Sequence, residues 1–436
     1  MIPSSLRDRR TLPWIIFVSG LLVRLLWLWV EDEAPLSGDA ADYWATARAW
    51  ASGQWAGAYW PPGLPAWLAL WRLALGGSYL VPIAASLAVW SGFYWTFAHL
   101  SQRRSLPHRP VLLALWAFYP AFIYQSLAPL SYLPGAWLLL LAWEGKPTRG
   151  VPPWRALTGG LVLGAMGLLR PALLSVAPVV AWRGLGFVRP DRRLRAGGWL
   201  LLGLLLSLGP WLYLVQQQTN GWLGLSQASS YNFFLGNQPE TPHYRTWWLG
   251  SHTLTDDPAL TSYYQRLDSL RALPVAKQPA AFRSLAWQHL RQEPGLFLLR
   301  AWHRLRVFWA FDTLAGAELI GRGQAVGWAV LALDALGYLA LMGLILAGAW
   351  YASRRRLGIG LLLTAAYLLP YLLAFSHPTY HPGLLPLLAL GSASPRKAWL
   401  RLRRDPSWRG WGLRLSLLLL WLIQVEWVWR TAGVGG

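Results

Sequence analysis

The sequence predicts an all-α integral membrane protein, in which about eleven transmembrane helices form one polytopic domain over residues 1–436. Apolar stretches recur along the whole chain. Apolar residues make up 55% of it and charged residues only 13%. Arginines gather in short clusters between the apolar stretches. The bilayer core holds no water that could hydrogen-bond to unpaired backbone groups. Only helices and closed barrels therefore span a bilayer. These runs have the length and apolarity of helices.

Candidate spans can be located from the apolar stretches, although several are shorter than the roughly 20 residues that a perpendicular span needs. They are 14–30, 79–98, 111–126, 130–143, 156–169, 171–188, 197–215, 325–350, 357–375, 382–392 and 411–429. The first follows a basic start, as in a signal peptide. It ends in Glu31, Asp32 and Glu33 without a small-residue cleavage motif. We therefore interpret it as an uncleaved first helix.

Two further apolar stretches, 63–75 and 295–311, contain basic residues, and the parity of crossings decides their status. If neither crosses, every basic cluster falls on the same side as the N-terminus. If either crosses, several clusters move to the opposite side. The positive-inside rule therefore predicts interfacial helices for both stretches. The N-terminus is then inside and the C-terminus outside. Two large outer segments result, a catalytic loop at 31–78 and a substrate-shaping segment at 216–310.

Net charge and cysteine content narrow the function classes. The formal net charge is +21, but the basic residues lie between apolar runs. That pattern indicates contact with an anionic membrane leaflet, and we expect no nucleic-acid partner. The chain has no cysteine, which excludes disulfides, thiolate catalysis and Cys-ligated metal sites.

Asp39 is the best candidate for a chemical role. It lies in the first outer loop, just before a helical pattern. As an N-cap with Asp42 three residues later, it would only start a helix. As a functional group, its carboxylate could act as a general base on a hydroxyl or hold a divalent cation. The two roles are compatible, because a capping carboxylate can also face a site.

Two arginines lie within or near the predicted spans. Arg24 is in the middle of the first apolar run, where a charge is costly unless it is paired. It either forms a structural pair with a neighbouring helix or donates to an anionic ligand. Arg170 lies near the outer end of its span. It either extends to the membrane interface or contacts a phosphate from outside.

A short outer turn, Ser376 to Gly383, contains His377, Tyr380 and His381. Two histidines four residues apart could bind a metal on a helix. Pro378 and Pro382 predict an extended turn instead, so that spacing carries little weight. The turn is either a solvated interfacial segment or part of a site.

Several segments, taken in chain order, resemble a known family. They are Arg24, Asp39 to Tyr43 with Ala47, Ala49 and Gly53, Pro61 to Pro65, Gly160 to Pro171, residues 230–240, Glu293 to Trp309 and residues 384–390. Together they resemble the GT-C glycosyltransferases of the protein O-mannosyltransferase and aminoarabinose transferase type, in particular the bacterial members. The resemblance covers nearly the whole chain.

This resemblance implies an inverting glycosyltransferase of the bacterial inner membrane, with its active site on the outer face. The donor would be a polyprenyl-phosphate sugar, and the acceptor a lipid, a glycan or a protein. Asp39 would be catalytic. The implied substrate-binding residues are Arg24, Asp42, Tyr43, Arg170, Asn237, Glu240, His377, Tyr380 and His381. No cofactor is firmly implied, although a divalent cation is compatible.

Two departures from the family pattern limit how far the family's residue roles can be assigned to this chain. Tyr132 follows Leu130-Ser131 where the family often has an acidic residue, and Thr379 stands where it often has an arginine. The first removes support for a second acidic site. Because of the second, His377 or His381 would have to replace a phosphate-binding arginine. Two other classes remain open: a polymerase or ligase of the O-antigen type, and a flippase or transporter.

Overall fold

The computed structural model describes residues 11–30, 36–145, 152–221, 223–251 and 257–432. The acidic run Glu31, Asp32 and Glu33, expected to follow the first span, lies outside these residues. The same is true of the N-terminal basic cluster of Arg7, Arg9 and Arg10.

The described chain is helical, and no strand occurs within these ranges, which confirms the predicted all-α class. The α-helices are α1 Leu12–Val30, α2 Gly38–Ala51, α3 Gly63–Leu75, α4 Leu80–Arg103, α5 Arg109–Phe118, α6 Pro120–Leu127, α7 Tyr132–Glu144, α8 Ala156–Leu169, α9 Ala177–Leu185, α10 Arg193–Thr219, α11 Ala228–Leu235, α12 Trp248–Ser251, α13 Thr261–Arg271, α14 Gln278–Gln292, α15 Pro294–Phe308, α16 Leu314–Gly321, α17 Val326–Ala349, α18 Arg354–Leu373, α19 Leu385–Ala389, α20 Pro395–Arg404 and α21 Trp408–Ala432. Short 3-10 helices cover Pro153–Arg155, Pro171–Val176, Pro190–Arg192, Pro258–Leu260 and Pro378–Gly383.

Fewer helices than expected have the length and apolarity of a full span. Among the described residues there are six, α1, α4, α10, α17, α18 and α21, or seven if α5 and α6 form one bent span. The candidate spans at 130–143, 156–169, 171–188 and 382–392 are shorter helices. For example, α8 has 14 residues, or about 21 Å at the α-helical rise, against about 30 Å of hydrocarbon. Length and composition therefore support a helical membrane protein, but not eleven spans.

Proline explains the bend between α5 and α6, whose axes differ by 54°. Pro120 has no N–H to give to the carbonyl of Trp116. Arg24 from α1 fills the gap, because its Nη1 donates to the carbonyl of Ala117 at 2.7 Å and its Nη2 to that of Trp116 at 3.4 Å. Its Nε also donates to the hydroxyl of Ser126 at 2.6 Å. Arg24 thus stabilises a broken helix.

Glycines bring α3, α8 and α10 into close contact. A Cβ atom on Gly160 of α8 would lie 2.0 Å from the carbonyl oxygen of Leu200, and one on Gly203 of α10 would lie 2.2 Å from that of Leu157. At the other end of α8, a Cβ on Gly63 would lie 2.8 Å from the backbone nitrogen of Leu169. Small residues permit such packing of membrane helices. It holds the end of α8 against the first outer loop.

The long segment between α10 and α15 packs on the same loop. The backbone N–H groups of Gln227 and Ala228 donate to the carbonyls of Ala58 and Tyr59, at 3.0 and 3.1 Å. The segment also has an apolar core of its own. That core includes Phe234, Leu235, Leu249, Leu260, Tyr263, Leu267, Phe282 and Ala286. One side of the molecule thus joins the first loop, the end of α8 and this segment.

Candidate active site

Asp39 is the second residue of α2. The N-cap is Ser37, with an extended backbone conformation and no side-chain capping bond. Asp39 is therefore not the N-cap that its position in the sequence allowed. Its side chain is exposed to solvent, and no hydrogen bond to its carboxylate occurs within the described ranges. A carboxylate in the first turn of a helix is stabilised by the helix dipole and stays available to a ligand.

Arg170 caps the C-terminal end of α8 and is surrounded by tyrosines. Its Nε donates to the hydroxyl of Tyr371 at 3.0 Å, and its Nη1 to the hydroxyl of Ser131 at 3.2 Å. The guanidinium carbon lies 4.5 Å from the ring centre of Tyr132 and 4.7 Å from that of Tyr380. No acidic side chain forms an ion pair with Arg170 in the described part of the chain. Its charge is thus held in place and remains available to an anion.

Asp39 lies close enough to Arg170 for their charges to interact, and we call the region around these two residues the cleft. Burial raises the pKa of the Asp39 carboxyl above 3.8, the positive charge of Arg170 acts against this shift, and the charge of Asp42 acts with it. Asp39 is accessible to solvent although protein surrounds it, as expected for a group that faces a concave surface. The cleft therefore combines a carboxylate whose pKa is tuned upward with a cation, an arrangement typical of catalytic sites.

Tyr43 and Asp42 have different positions around Asp39. Tyr43 is buried, its ring centre lies 4.8 Å from that of Trp60, and its hydroxyl interacts with Ser131. It joins α2 to the group of residues that holds Arg170. Asp42 is exposed on the next turn. Tyr43 thus supports the cleft, whereas Asp42 adds negative charge at its edge.

The late turn contributes one residue to this cleft, buries a second and leaves a third partly buried. Tyr380 packs on Arg170. His381 is fully buried, and its Nδ1 lies 2.9 Å from the carbonyl oxygen of Phe308. His377 bonds to Thr379, 2.8 Å away. Burial, followed by the charge of Arg245, lowers the pKa of His377 to about 3. This lowered pKa favours a neutral His377 ring in the unliganded protein, and a role for His377 in phosphate binding stays a prediction.

Asn237 and Glu240 make contacts within the protein. The amide of Asn237 donates to the carbonyls of Phe233 and Leu373, at 2.8 and 2.9 Å. Glu240 forms an ion pair with Arg266. Burial opposes ionisation of Glu240, but hydrogen bonds from Arg266 and Ser262 lower its pKa below 4.5. In this state both residues stabilise the outer segment, and their role in substrate binding stays a prediction.

Arg24 does not join the group around Asp39 and Arg170. Its side chain is fully buried, and its donors contact Gly20, Trp116, Ala117, Phe122 and Ser126. Its guanidinium also stacks on Trp90, with 3.8 Å between its carbon and the ring centre. Of the two roles open from the sequence, the observed contacts are those of the structural one.

Sequence reasoning missed several residues of the cleft. Tyr371 and Ser131 position Arg170, while Tyr59, Tyr231 and Arg271 lie on the side of Asp39 that faces the outer segment. The ring centres of Tyr59 and Tyr231 are 6.4 Å apart, and Arg271 lies over the ring of Tyr231. Only the Ser131-Tyr132 pair gave a signal, because it departs from the pattern of the family.

A divalent cation at Asp39 would have few protein ligands. Within the described ranges, no three His, Cys, Asp or Glu side chains come together in a way that could hold a metal ion. Asp39 and Asp42 are one turn apart and would supply two carboxylates at most.

Comparison with known proteins adds no relative. No protein-family model, curated protein or solved structure matches the chain.

Proposed function

We propose that this protein is an inverting membrane glycosyltransferase, which transfers a sugar from a polyprenyl-phosphate donor to an acceptor hydroxyl. One observation carries the proposal: the accessible carboxylate of Asp39 shares a cleft with the tyrosine-bound charge of Arg170. A base and an anion-binding group on one cleft are what transfer from a sugar phosphate requires.

In the proposed reaction, Asp39 accepts the proton of the acceptor hydroxyl as its oxygen attacks the anomeric carbon. The bond from that carbon to the phosphate oxygen breaks, and its electron pair leaves with the polyprenyl phosphate. Arg170 stabilises the charge of that leaving group. Because attack comes from the face opposite the phosphate, the anomeric configuration inverts. Tyr132 and Tyr380 hold the guanidinium plane in position.

The predicted topology agrees with the contacts. We propose about eleven crossings, with the shorter helices α7, α8 and Pro171–Leu185 among them, and the cleft on the outer face. Five residues that have outer positions in that topology lie close together around Arg170: Asp39, Ser131, Arg170 itself, Tyr371 and Tyr380.

Residues with inner positions in the same topology also meet each other. Arg104 pairs with Glu144, and the guanidinium of Arg183 stacks on Trp143, with 3.8 Å to the ring centre. His108 bonds to Ser392 at 2.7 Å. This separation supports the crossings, and with them a bacterial inner-membrane location in which the basic clusters face inward.

The acceptor class remains a lipid, a glycan or a protein. The outer segment lines the cleft through Tyr231 and Arg271, so it is the part of the chain that would contact the acceptor. Its Gln227 and Ala228 are bonded to the first loop, which supports the prediction that this segment shapes substrate choice.

Transfer can be tested in a strain that lacks the protein, by mass spectrometry of surface glycans, glycolipids and glycoproteins. The proposal expects a product that is lighter by one sugar. It also expects that purified protein restores this sugar when it is supplied with membranes of that strain and a polyprenyl-monophosphate hexose or pentose. Restoration only from a diphosphate-linked glycan would instead indicate a ligase or polymerase. Uptake of the lipid without covalent transfer would indicate a flippase.

A further inference from the structure

A second polar group lies away from the cleft, in the middle of a predicted span. Asp334 is the ninth residue of α17 and is fully buried. Asp312, between α15 and α16, is 2% exposed. An ionisable side chain at membrane depth is costly unless a partner compensates its charge. In the described part of the chain, neither aspartate forms an ion pair with Lys, Arg or His.

The two carboxylates both accept hydrogen bonds from α6. Oδ1 of Asp334 accepts a hydrogen bond from the backbone N–H of Ala121 at 2.8 Å, and Oδ2 of Asp312 accepts one from the amide of Gln125 at 3.3 Å. The charges of the two aspartates are also close enough to interact. Both carboxylates therefore contact one short helix of eight residues.

Three buried oxygen atoms in this group have no hydrogen-bond partner among the residues that the structure describes. They are Oδ2 of Asp334, Oε1 of Gln125 and the hydroxyl of Tyr119. Tyr119 and Gln125 are 3% and 2% exposed. The hydroxyl of Tyr119 is close enough to Asp334 and Asp312 to sense both charges. Buried polar atoms without partners are rare and costly, and each calls for an explanation.

A metal cation explains these atoms better than a proton does. Protons would have to bind both Asp334 and Asp312 to neutralise them, and each would give only one of the unpartnered oxygens a partner. A single divalent cation would neutralise both carboxylates and serve several of these oxygens at once. Carboxylate and amide carbonyl oxygens are the ligands that Ca²⁺ and Mg²⁺ prefer, and the hydroxyl of Tyr119 would take a position that a water often fills.

We propose that Asp334, Asp312, Gln125 and Tyr119 bind one divalent cation of the Ca²⁺ or Mg²⁺ type. This cation joins α6 to α17 and to the segment that precedes α16. It stabilises the broken pair α5 and α6, whose carbonyls at the break are held by Arg24. The site is independent of the glycosyltransferase proposal, because none of its residues lies in the cleft around Asp39.

The test uses the purified full-length protein in detergent after treatment with EDTA, and follows thermal unfolding by tryptophan fluorescence. CaCl₂ or MgCl₂ at about 100 times its dissociation constant should raise Tm by about 3 °C. NaCl of equal ionic strength should not. Elemental analysis should find one cation per chain. A rise with NaCl alone, or no rise with either divalent salt, would overturn the proposal.

Three variants make this test specific. Asp334→Asn keeps the acceptor for Ala121 but loses the charge, so its Tm should not respond to the cation. Tyr119→Phe removes a single ligand and should weaken binding about tenfold. Asp268→Asn removes an exposed carboxylate on α13 and should respond like the wild type. An equal response of Asp334→Asn and wild type would contradict the assigned ligands, and a folded Tyr119→Phe decides the matter if Asp334→Asn is unstable.

Discussion

The Nε of Arg170 donates a hydrogen bond to the hydroxyl of Tyr371, 3.0 Å away. This bond joins the C-cap residue of α8 to α18, and the two residues are 201 positions apart in the sequence. The guanidinium carbon lies over the rings of Tyr132 and Tyr380, 4.5 and 4.7 Å from their centres. An arginine with a fixed plane can bind a phosphate with little loss of conformational entropy. The proposed anion-binding group is thus held in one orientation without a ligand.

Arg170→Lys should impair donor binding although the charge is kept. Lysine has neither the planar group that stacks between the tyrosines nor the Nε that bonds to Tyr371. We expect KM for the polyprenyl-phosphate donor to rise about 30-fold, which corresponds to about 2 kcal/mol, the strength of one charge-assisted hydrogen bond. Tyr371→Phe keeps the guanidinium and removes only a bond that orients it, so KM should rise less, by about fivefold. Steady-state transfer with varied donor concentration measures both, and an unchanged KM in Arg170→Lys would remove Arg170 from the donor site.

Asp39→Asn should abolish transfer and leave folding intact, because the amide cannot accept the acceptor's proton. We expect kcat to fall at least about 1,000-fold. Asp42→Asn is the matched control, since it removes an exposed carboxylate one turn later on α2 and should retain at least about a tenth of the activity. Transfer by purified variants that are fully folded at the assay temperature measures this difference. Near-normal activity of Asp39→Asn would disprove its catalytic role.

The sequence predicts the polar residues of the cleft better than it predicts the residues that position them. Asp39, Arg170 and Tyr380 are recognisable because each is a polar group at the predicted outer end of an apolar stretch. Tyr371 is not, because one more tyrosine in an apolar helix gives no signal of a partner 201 residues away. Asp334, a lone acid within an apolar run, did offer a signal that the sequence interpretation did not use.

Helix number and the role of Arg24 depend on tertiary contacts that a single sequence does not reveal. The position of Pro120 predicts a possible break in a helix, but not which donor fills it. That donor is Arg24 from α1, and its contacts are those of the structural role, one of the two roles that the sequence left open. Apolar runs likewise predict helices without their lengths. In α8, close packing through glycines stabilises a helix that is shorter than a full span.

Arg24→Lys should destabilise the protein and leave KM for the donor unchanged. A lysine has one ammonium group and cannot serve Ala117, Gly20 and Ser126 together, so buried carbonyls at the break lose their partners. We expect the free energy of unfolding to fall by about 3 kcal/mol. Arg103→Lys, on the exposed end of α4, is the control and should change it by less than about 0.5 kcal/mol. Thermal unfolding and donor kinetics at a permissive temperature separate the two effects, and a higher KM with normal stability would assign Arg24 to the ligand.

Asp39→Asn should also be more stable than the wild type at neutral pH. Burial raises the pKa of Asp39 in the folded protein above its value in the unfolded chain. The folded state therefore binds the proton more tightly, and stability is lost as the pH rises from the unfolded pKa near 3.8 through the raised folded pKa. Asparagine carries no charge and avoids this loss, so the difference in Tm should be largest at neutral pH and vanish near pH 3.8. Tm of both proteins measured from pH 4 to pH 8 tests the sign. A variant that is less stable than the wild type at pH 7 would show instead that the carboxylate is stabilised by its surroundings, and would argue against a base held ready for an acceptor.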